Sequence, residues 1–270
     1  MKERFDMKNS DGRRIAADNE TRVLRAVHRF GWLRTRDIAI LVWRNWARHP
    51  KGELSLAQVE PTASELRMAQ RTLRRLVIQR MALRATAPDG AQIYALAESG
   101  ARRLQDVGLP ASSGKDLVRS FSASYYRHRT IANAIAVAGI VQGYKVSTER
   151  EISRGLWAGG ENGLAGKKPD VLLRAGSTWC WVEVERSRRN ATDYAALLKW
   201  LGWVRSFALS RRGELMPGAV LGKVVFICTE AFEQRLRADL ARQGWNAQDA
   251  NHLIEYKTRL YTFQNISFGN

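Results

Sequence analysis

Lys168-Pro169-Asp170-Val171-Leu172-Leu173-Arg174-Ala175-Gly176-Ser177-Thr178-Trp179-Cys180-Trp181-Val182-Glu183-Val184-Glu185 is the stretch on which the reading of this chain turns. Two runs of apolar, β-branched and aromatic residues flank Gly176-Ser177, a pair suited to a two-residue hairpin turn. With that turn Ala175 pairs with Thr178, and counting outward puts Asp170 opposite Glu183. Cβ atoms opposite each other in a hairpin are ~5 Å apart. Glu185, two residues on, points to the same side. Val171, Leu173, Cys180, Val182 and Val184 fall on the other face, which is expected to be the buried one. Like charges placed opposite each other destabilise a sheet unless something compensates them. A divalent cation is the expected compensation, because hard oxygen ligands suit Mg²⁺. Asp170 and Glu183 are therefore the candidate metal ligands.

Around this hairpin the chain reads as a helix over residues 120–143, rich in Ala, Ile and Val and opening on Tyr125, Tyr126, Arg127, His128 and Arg129. Strand-like segments follow at 144–152, 169–175 and 178–186. A helix at 191–209, a strand at 223–229, a helix at 231–243 and a strand at 253–265 complete the half. The order is αβββαβαβ. Trp179 and Trp181 are expected to pack beneath the 191–209 helix, which carries Tyr194, Leu197, Leu198, Leu201 and Val204; stacking on a nucleobase is the other use of such rings. His128 reads as an interface histidine. Gly159-Gly160-Glu161-Asn162-Gly163 is a flexible loop without the Gly-Lys-Ser/Thr ending of a phosphate-binding loop.

The element order, with Pro169-Asp170 followed by Glu183-Val184-Glu185, resembles the PD-(D/E)xK nuclease superfamily over residues 120–265. The resemblance implies a restriction-endonuclease-like fold in which Asp170 and Glu183 hold Mg²⁺ or Mn²⁺. Glu185 stands where the family's catalytic lysine usually lies. Lys199 on the next helix is the stand-in, and Lys167 and Lys168 are the others within reach. Glu149 and Glu151, placed on the first strand, are candidates for an acid that many members carry on the first helix. An active site of this kind would use Asp170, Glu183, Glu185 and Lys199. The metal generates hydroxide and stabilises the leaving oxygen, and the cation orients water or offsets developing charge. Against activity stand the glutamate in place of the lysine and the missing first-helix acid. Glu183 and Glu185 would then pair with Arg186, Arg188 or Arg189.

The N-terminal half has a different pattern. Residues 1–17 are charged and unpatterned, and are expected to form a mobile arm. Helical spacing begins at Val23, Leu24, Val27 and Phe30 and stops at Gly31. A short helix follows Thr35, read as its N-cap, with Ile38, Leu41 and Val42 on one face. Residues 44–61 are loop-like. Thr62-Ala63-Ser64-Glu65 is a capping box that opens a helix with Leu66, Ala69, Leu73, Leu76 and Val77 on its apolar side. The opposite side shows Arg67, Arg71 and Arg74, flanked by Gln70 and Arg75. A hairpin over 82–96 turns at Pro88-Asp89-Gly90, and a last helix runs from Glu98 to Gly108. Three helices and a two-stranded wing resemble the winged helix-turn-helix over residues 18–108. That resemblance implies that Arg67, Gln70, Arg71, Arg74 and Arg75, with Gln92 on the wing, face double-stranded DNA. Residues 109–119 read as a linker, with the second domain at 120–270.

The charge agrees with a polyanionic partner. The 270 residues carry a net +18, spread as 23 basic and 13 acidic residues over 1–119 and 21 and 13 over 120–270. Cys180 and Cys228 lie in apolar runs and are expected to be buried, reduced thiols. No leader, membrane span or repeat is read, so a cytoplasmic, nucleoid-associated protein is expected. The two halves together resemble the replication–relaxation type of proteins of plasmids and other bacterial mobile elements. The expected function is a DNA-binding regulator or DNA-processing accessory factor with a degenerate nuclease-like domain, dimeric if its site is a palindrome. The alternative is a Mg²⁺-dependent DNA endonuclease or nickase.

Overall fold

The computed structural model describes residues 2–119, 122–185, 190–210 and 214–261. The protein is mixed α/β and divides into two compact units. Met1–Asn45 and Val59–Arg127 form the body of one, and Trp46–Gln58 with the chain from His128 onward form the other. The boundary thus falls at 127/128 and not at 119/120, and the middle of the 44–61 loop belongs to the second unit.

The first unit runs α1 (Lys2–Phe30), β1 (Trp32–Arg34), α2 (Thr35–Trp43), α3 (Ala63–Ile78), β2 (Ala82–Thr86), β3 (Gln92–Leu96), α4 (Glu98–Asp106) and α5 (Lys115–Arg119). The expected arm is the start of α1. Its Lys, Glu, Arg, Met and Ala residues are good helix formers, but it has no apolar periodicity to reveal the helix. The buried stripe Val23, Leu24, Val27 and Phe30 begins later, and Gly31, at φ +85°, ends the helix. The sheet has three antiparallel strands in the order β1-β3-β2, not two. Three residues are too few for β1 to show alternation. The cap of α2 is Arg34 instead of Thr35. Its backbone N–H and its guanidinium both reach the Asp37 carboxylate, at 3.0–3.1 Å. The Thr62/Glu65 capping box of α3 is present, and Glu65 also takes a two-point contact from Arg44, at 3.1 and 2.8 Å. The supposed linker lies on the sheet: Gly114 donates to the Leu96 carbonyl at 2.8 Å, and Leu117 and Val118 pack on the cluster around Trp32, Ile93 and Tyr126.

The second unit contains α6 (Ala123–Val141), whose first turn still serves the first unit, then β4 (Lys145–Ser147), α7 (Glu149–Ser153), β5 (Val171–Ala175), β6 (Thr178–Val184), α8 (Ala191–Ala208), β7 (Glu214–Met216), β8 (Ala219–Ile227), α9 (Glu230–Arg242), α10 (Ala247–Leu253) and β9 (Ile254–Lys257). The six-stranded sheet has the order β4-β5-β6-β8-β7, with β9 also paired to β8. β4, β5 and β6 are antiparallel. β6 and β8 are parallel, which requires a crossover, here α8. The hairpin register is the expected one, from Ala175↔Thr178 to Val171↔Val182.

Three segments differ from the sequence reading. Residues 144–152 split into β4 and α7 because Thr148 and Glu151 form a capping box. The 253–265 strand is the end of α10 followed by β9, and residues 262–265 lie outside the described residues. β8 starts earlier than expected, folded back from β7 at Gly218. Both sheet faces are covered. α6 approaches the Leu173 face so closely that a Cβ at Gly139 would lie 2.3 Å from Leu173 Cδ2. The opposite face, with Leu172, Trp181, Val224 and Phe226, packs against Leu197, Trp200 and Leu201 of α8 and Leu236 and Leu240 of α9.

Candidate functional site

Two groups of side chains follow from this framework, one in each unit. In the second unit the chain bends at Asp170 just before β5. Its backbone N–H donates to the Val182 carbonyl at 3.0 Å, and its carboxylate Oδ2 accepts the Val184 N–H at 2.7 Å. The side chain thus takes the place of a strand carbonyl and is pinned at the end of β6. His128, from α6, brings Nε2 to 3.3 Å from the same oxygen. Its Nδ1 is 3.9 Å from Glu149 Oε2, and Arg129 Nη1 is 3.3 Å from Glu149 Oε1. Glu149 is brought here by α7, the short helix that replaces the expected strand.

Glu183 is 2% exposed and Glu185 4%, so the carboxylate face is buried, contrary to the expectation that only the other face would be. Glu183 accepts the Lys167 ammonium on Oε2 at 2.7 Å and the Trp181 indole N–H on Oε1 at 2.6 Å. Lys167 comes from the glycine-rich loop, which tryptophans hold in place. Trp157 donates to the Gly160 carbonyl at 2.7 Å, and Trp200 to the Leu164 carbonyl at 3.0 Å. Leu164 and Lys167 exchange two backbone hydrogen bonds, and the Lys167 ammonium lies 5.7 Å from the Trp200 ring centre. Gly163 has φ +69°, and a Cβ there would lie 2.3 Å from the Lys167 carbonyl oxygen, so only glycine fits.

The electrostatics follow from burial and pairing. Burial opposes charge on His128, but the hydrogen bond and charge of Asp170, with Glu149 and Glu183 behind it, raise its pKa from 6.5 to about 9. Burial would raise Asp170, yet His128, the Val184 N–H and Lys167 hold it below the usual carboxylate range. Burial pushes Glu183 up against the pull of Lys167, with Asp170 and Glu185 adding to the rise. Burial likewise raises Glu149.

The compensation expected from a metal is therefore supplied by the protein's own cations. Both Glu183 oxygens hold donors, and Oδ2 of Asp170 holds two. Among the described residues no group of three or more His, Cys, Asp or Glu side chains is arranged to hold a metal ion. A cation bound at Glu183 or at Oδ2 of Asp170 would compete with Lys167 or His128.

Of the other anticipated residues, Lys199 is exposed on α8, and Lys167 has the place beside the acids. Glu151 caps α7 by accepting the Thr148 N–H at 2.8 Å. Trp181 packs under α8 as expected, 4.6 Å from the Trp200 ring centre. Cys228 is buried, whereas Cys180 is half-buried. Arg186, Arg188 and Arg189 lie outside the described residues. The sequence reading missed Arg129 as a partner of Glu149 and the tryptophans that hold the loop. Trp157 immediately before a run of glycines was the available signal.

In the first unit Arg67, Gln70, Arg71 and Arg74 are exposed along one side of α3, opposite the buried Ala69, Leu73 and Leu76. Among the described residues no carboxylate lies within 4.0 Å of Arg67, Arg71 or Arg74, whereas Arg34, Arg36, Arg44, Arg75 and Arg103 all have one. Arg75 thus differs from the other three in having a carboxylate partner. It meets the buried Glu20 of α1 at 3.1 Å, and Arg103 of α4 meets the same carboxylate at 3.2 Å. Gln92 is half-buried, with its amide on Thr86 at 3.0 Å.

Compared with known protein families, curated proteins and solved structures, the chain matches none.

Proposed function

We propose that the protein binds double-stranded DNA through α3 as a regulator or accessory factor, and that the carboxylate cluster of the second unit is a buried framework and not a cleavage site. The observation that carries this reading is the sorting of arginines in the first unit. Guanidiniums that hold helices together are paired with carboxylates, and the three along the exposed side of α3 are left to solvent. Such a stripe can meet phosphates, and Arg with Gln can read base edges.

The order helix-strand-helix-helix-strand-strand, with β1 beside β3, is consistent with a winged helix. In the second unit, the antiparallel β4-β5-β6 and the parallel β8 reached through α8 are consistent with the nuclease-like core. The non-catalytic reading of that core rests on the engagement of Glu183 and Asp170 by Lys167, Trp181, His128 and the Val184 N–H.

The test is anisotropy titration of labelled duplex DNA. Affinity should fall by orders of magnitude between about 50 and 200 mM salt as phosphate contacts release counterions. Replacing Arg67, Arg71 and Arg74 together by Ala should remove most of it. Salt-insensitive binding, or binding unchanged in the triple variant, would overturn the assignment to α3. Nicking of supercoiled plasmid in Mg²⁺ or Mn²⁺ by wild type but not by Asp170→Ala would replace the framework reading with an endonuclease.

A further inference from the structure

The sheet face opposite the α8 core holds a cavity of about 510 Å³ that plays no part in the carboxylate cluster. Its floor is Leu173 and Cys180, paired across β5 and β6, with Lys223 of β8 opposite Cys180 and Val225 two residues further along β8. Its roof is Glu53, Leu54 and Leu56, from the segment of chain between α2 and α3. The roof is anchored beyond the cavity. Ala47 donates to the Val141 carbonyl at 2.9 Å, Ser55 and Gln142 exchange two hydrogen bonds at 2.9 and 2.6 Å, and the Leu56 carbonyl accepts the Tyr261 hydroxyl at 2.9 Å.

The lining charges say what would fit. Lys257 is paired with Glu255. The Lys223 ammonium meets the Asn251 carbonyl at 2.8 Å, and among the described residues no carboxylate lies within 4.0 Å of it. Glu53 is exposed to water, where its charge is screened. The Tyr144 hydroxyl, also in the lining, makes no hydrogen bond among the described residues. A volume of this size lined by both apolar and charged side chains suits a small amphipathic ligand.

We infer that this cavity binds an apolar carboxylate, its tail over Leu173 and Val225 and its head on Lys223 and the Tyr144 hydroxyl, and that the occupant alters DNA binding by moving the roof. The second half rests on the DNA-binding reading. Only residues 59–62 separate the roof segment from α3, and they are held by Arg36 on the Val59 carbonyl and Arg44 on the Glu60 carbonyl. A ligand that favours one roof position over another shifts the population by that difference in affinity.

Decanoate is the probe, and alkylation of Cys180 by N-ethylmaleimide in the full chain, followed by mass spectrometry, is the readout. Cys228, 1% exposed, is the internal control. Decanoate should slow modification of Cys180 saturably, decanol should not, and Lys223→Gln should raise the half-protecting concentration about tenfold, the loss of one charge-assisted hydrogen bond. No protection, or equal protection by decanol or in Lys223→Gln, overturns the site. Saturating decanoate should also change duplex affinity by about fivefold or more, and Lys223→Gln should need about ten times more decanoate for the same change. Protected Cys180 with unchanged DNA affinity overturns the regulatory half. A protein that binds no DNA at any salt refutes the DNA reading instead, and Cys180 protection then decides the site alone.

Discussion

Lys167 answers a problem set by its neighbours. Glu183 is buried under α8, beside Asp170 and Glu185, where an unpaired carboxylate would be strongly disfavoured. The ammonium at 2.7 Å and the Trp181 indole at 2.6 Å between them engage both its oxygens. Removing one partner of a buried pair costs more than the pair contributes, because the remaining charge is stranded. Lys167→Met should therefore destabilise the protein by about 3–5 kcal/mol in denaturant unfolding. Adding Glu183→Gln should recover most of that loss, since the stranded charge is gone. A Lys167→Met protein as stable as wild type would mean that Glu183 is neutral or otherwise compensated.

At the level of elements, α3 has two sides of different character. Ala69, Thr72, Leu73 and Leu76 bury one side, Glu65 ties the first turn to Arg44, and Arg75 ties the last turn to Glu20 of α1. Among the exposed arginines of α3, Arg67, Arg71 and Arg74 have no carboxylate within 4.0 Å among the described residues, whereas Arg75 does. Adjacent arginines should thus behave oppositely. If α3 binds DNA as proposed, Arg71→Ala should weaken that binding by about 1–3 kcal/mol without changing stability. Replacing Arg75 and Arg103 together by Ala strands Glu20 and should lower stability by about 3 kcal/mol, while the salt dependence of DNA binding by the folded protein stays as in wild type. Equal effects of the two changes on DNA affinity at equal stability would erase the distinction.

For the whole molecule the His128 cluster sets a pH response. A proton held more tightly in the folded than in the unfolded chain stabilises the fold, fully below the unfolded pKa and progressively less as pH rises to the folded one. With His128 raised from 6.5 to about 9, its contribution is complete below about pH 6.5 and lost by about pH 9. Wild type should lose thermal stability across that window, and His128→Gln should show a flatter profile. Identical slopes in the two proteins would show that His128 is not the group responsible.

The hairpin register, the α3 capping box, the burial of Trp181 beneath α8 and the exposed arginine stripe were all legible in the sequence. Each follows from local spacing: a turn residue pair, a cap three residues ahead of its partner, or apolar and charged positions at helical intervals. Glu149 was legible as a candidate, though on a strand, because a five-residue helix leaves no periodic trace. Arg75 read as part of the DNA-facing set because its partner Glu20 lies 55 residues away in sequence. Lys167 was legible as a cation within reach of Asp170 and Glu183, whereas His128 as a partner of Asp170 was not. Like-charged acids in a hairpin demand a counter-charge, and local pattern supplies only the demand. Which cations meet which acids was decided by tertiary structure, because α6 brings His128 from a distant stretch of chain to Asp170, and a tryptophan-held loop turns the nearby Lys167 onto the buried Glu183.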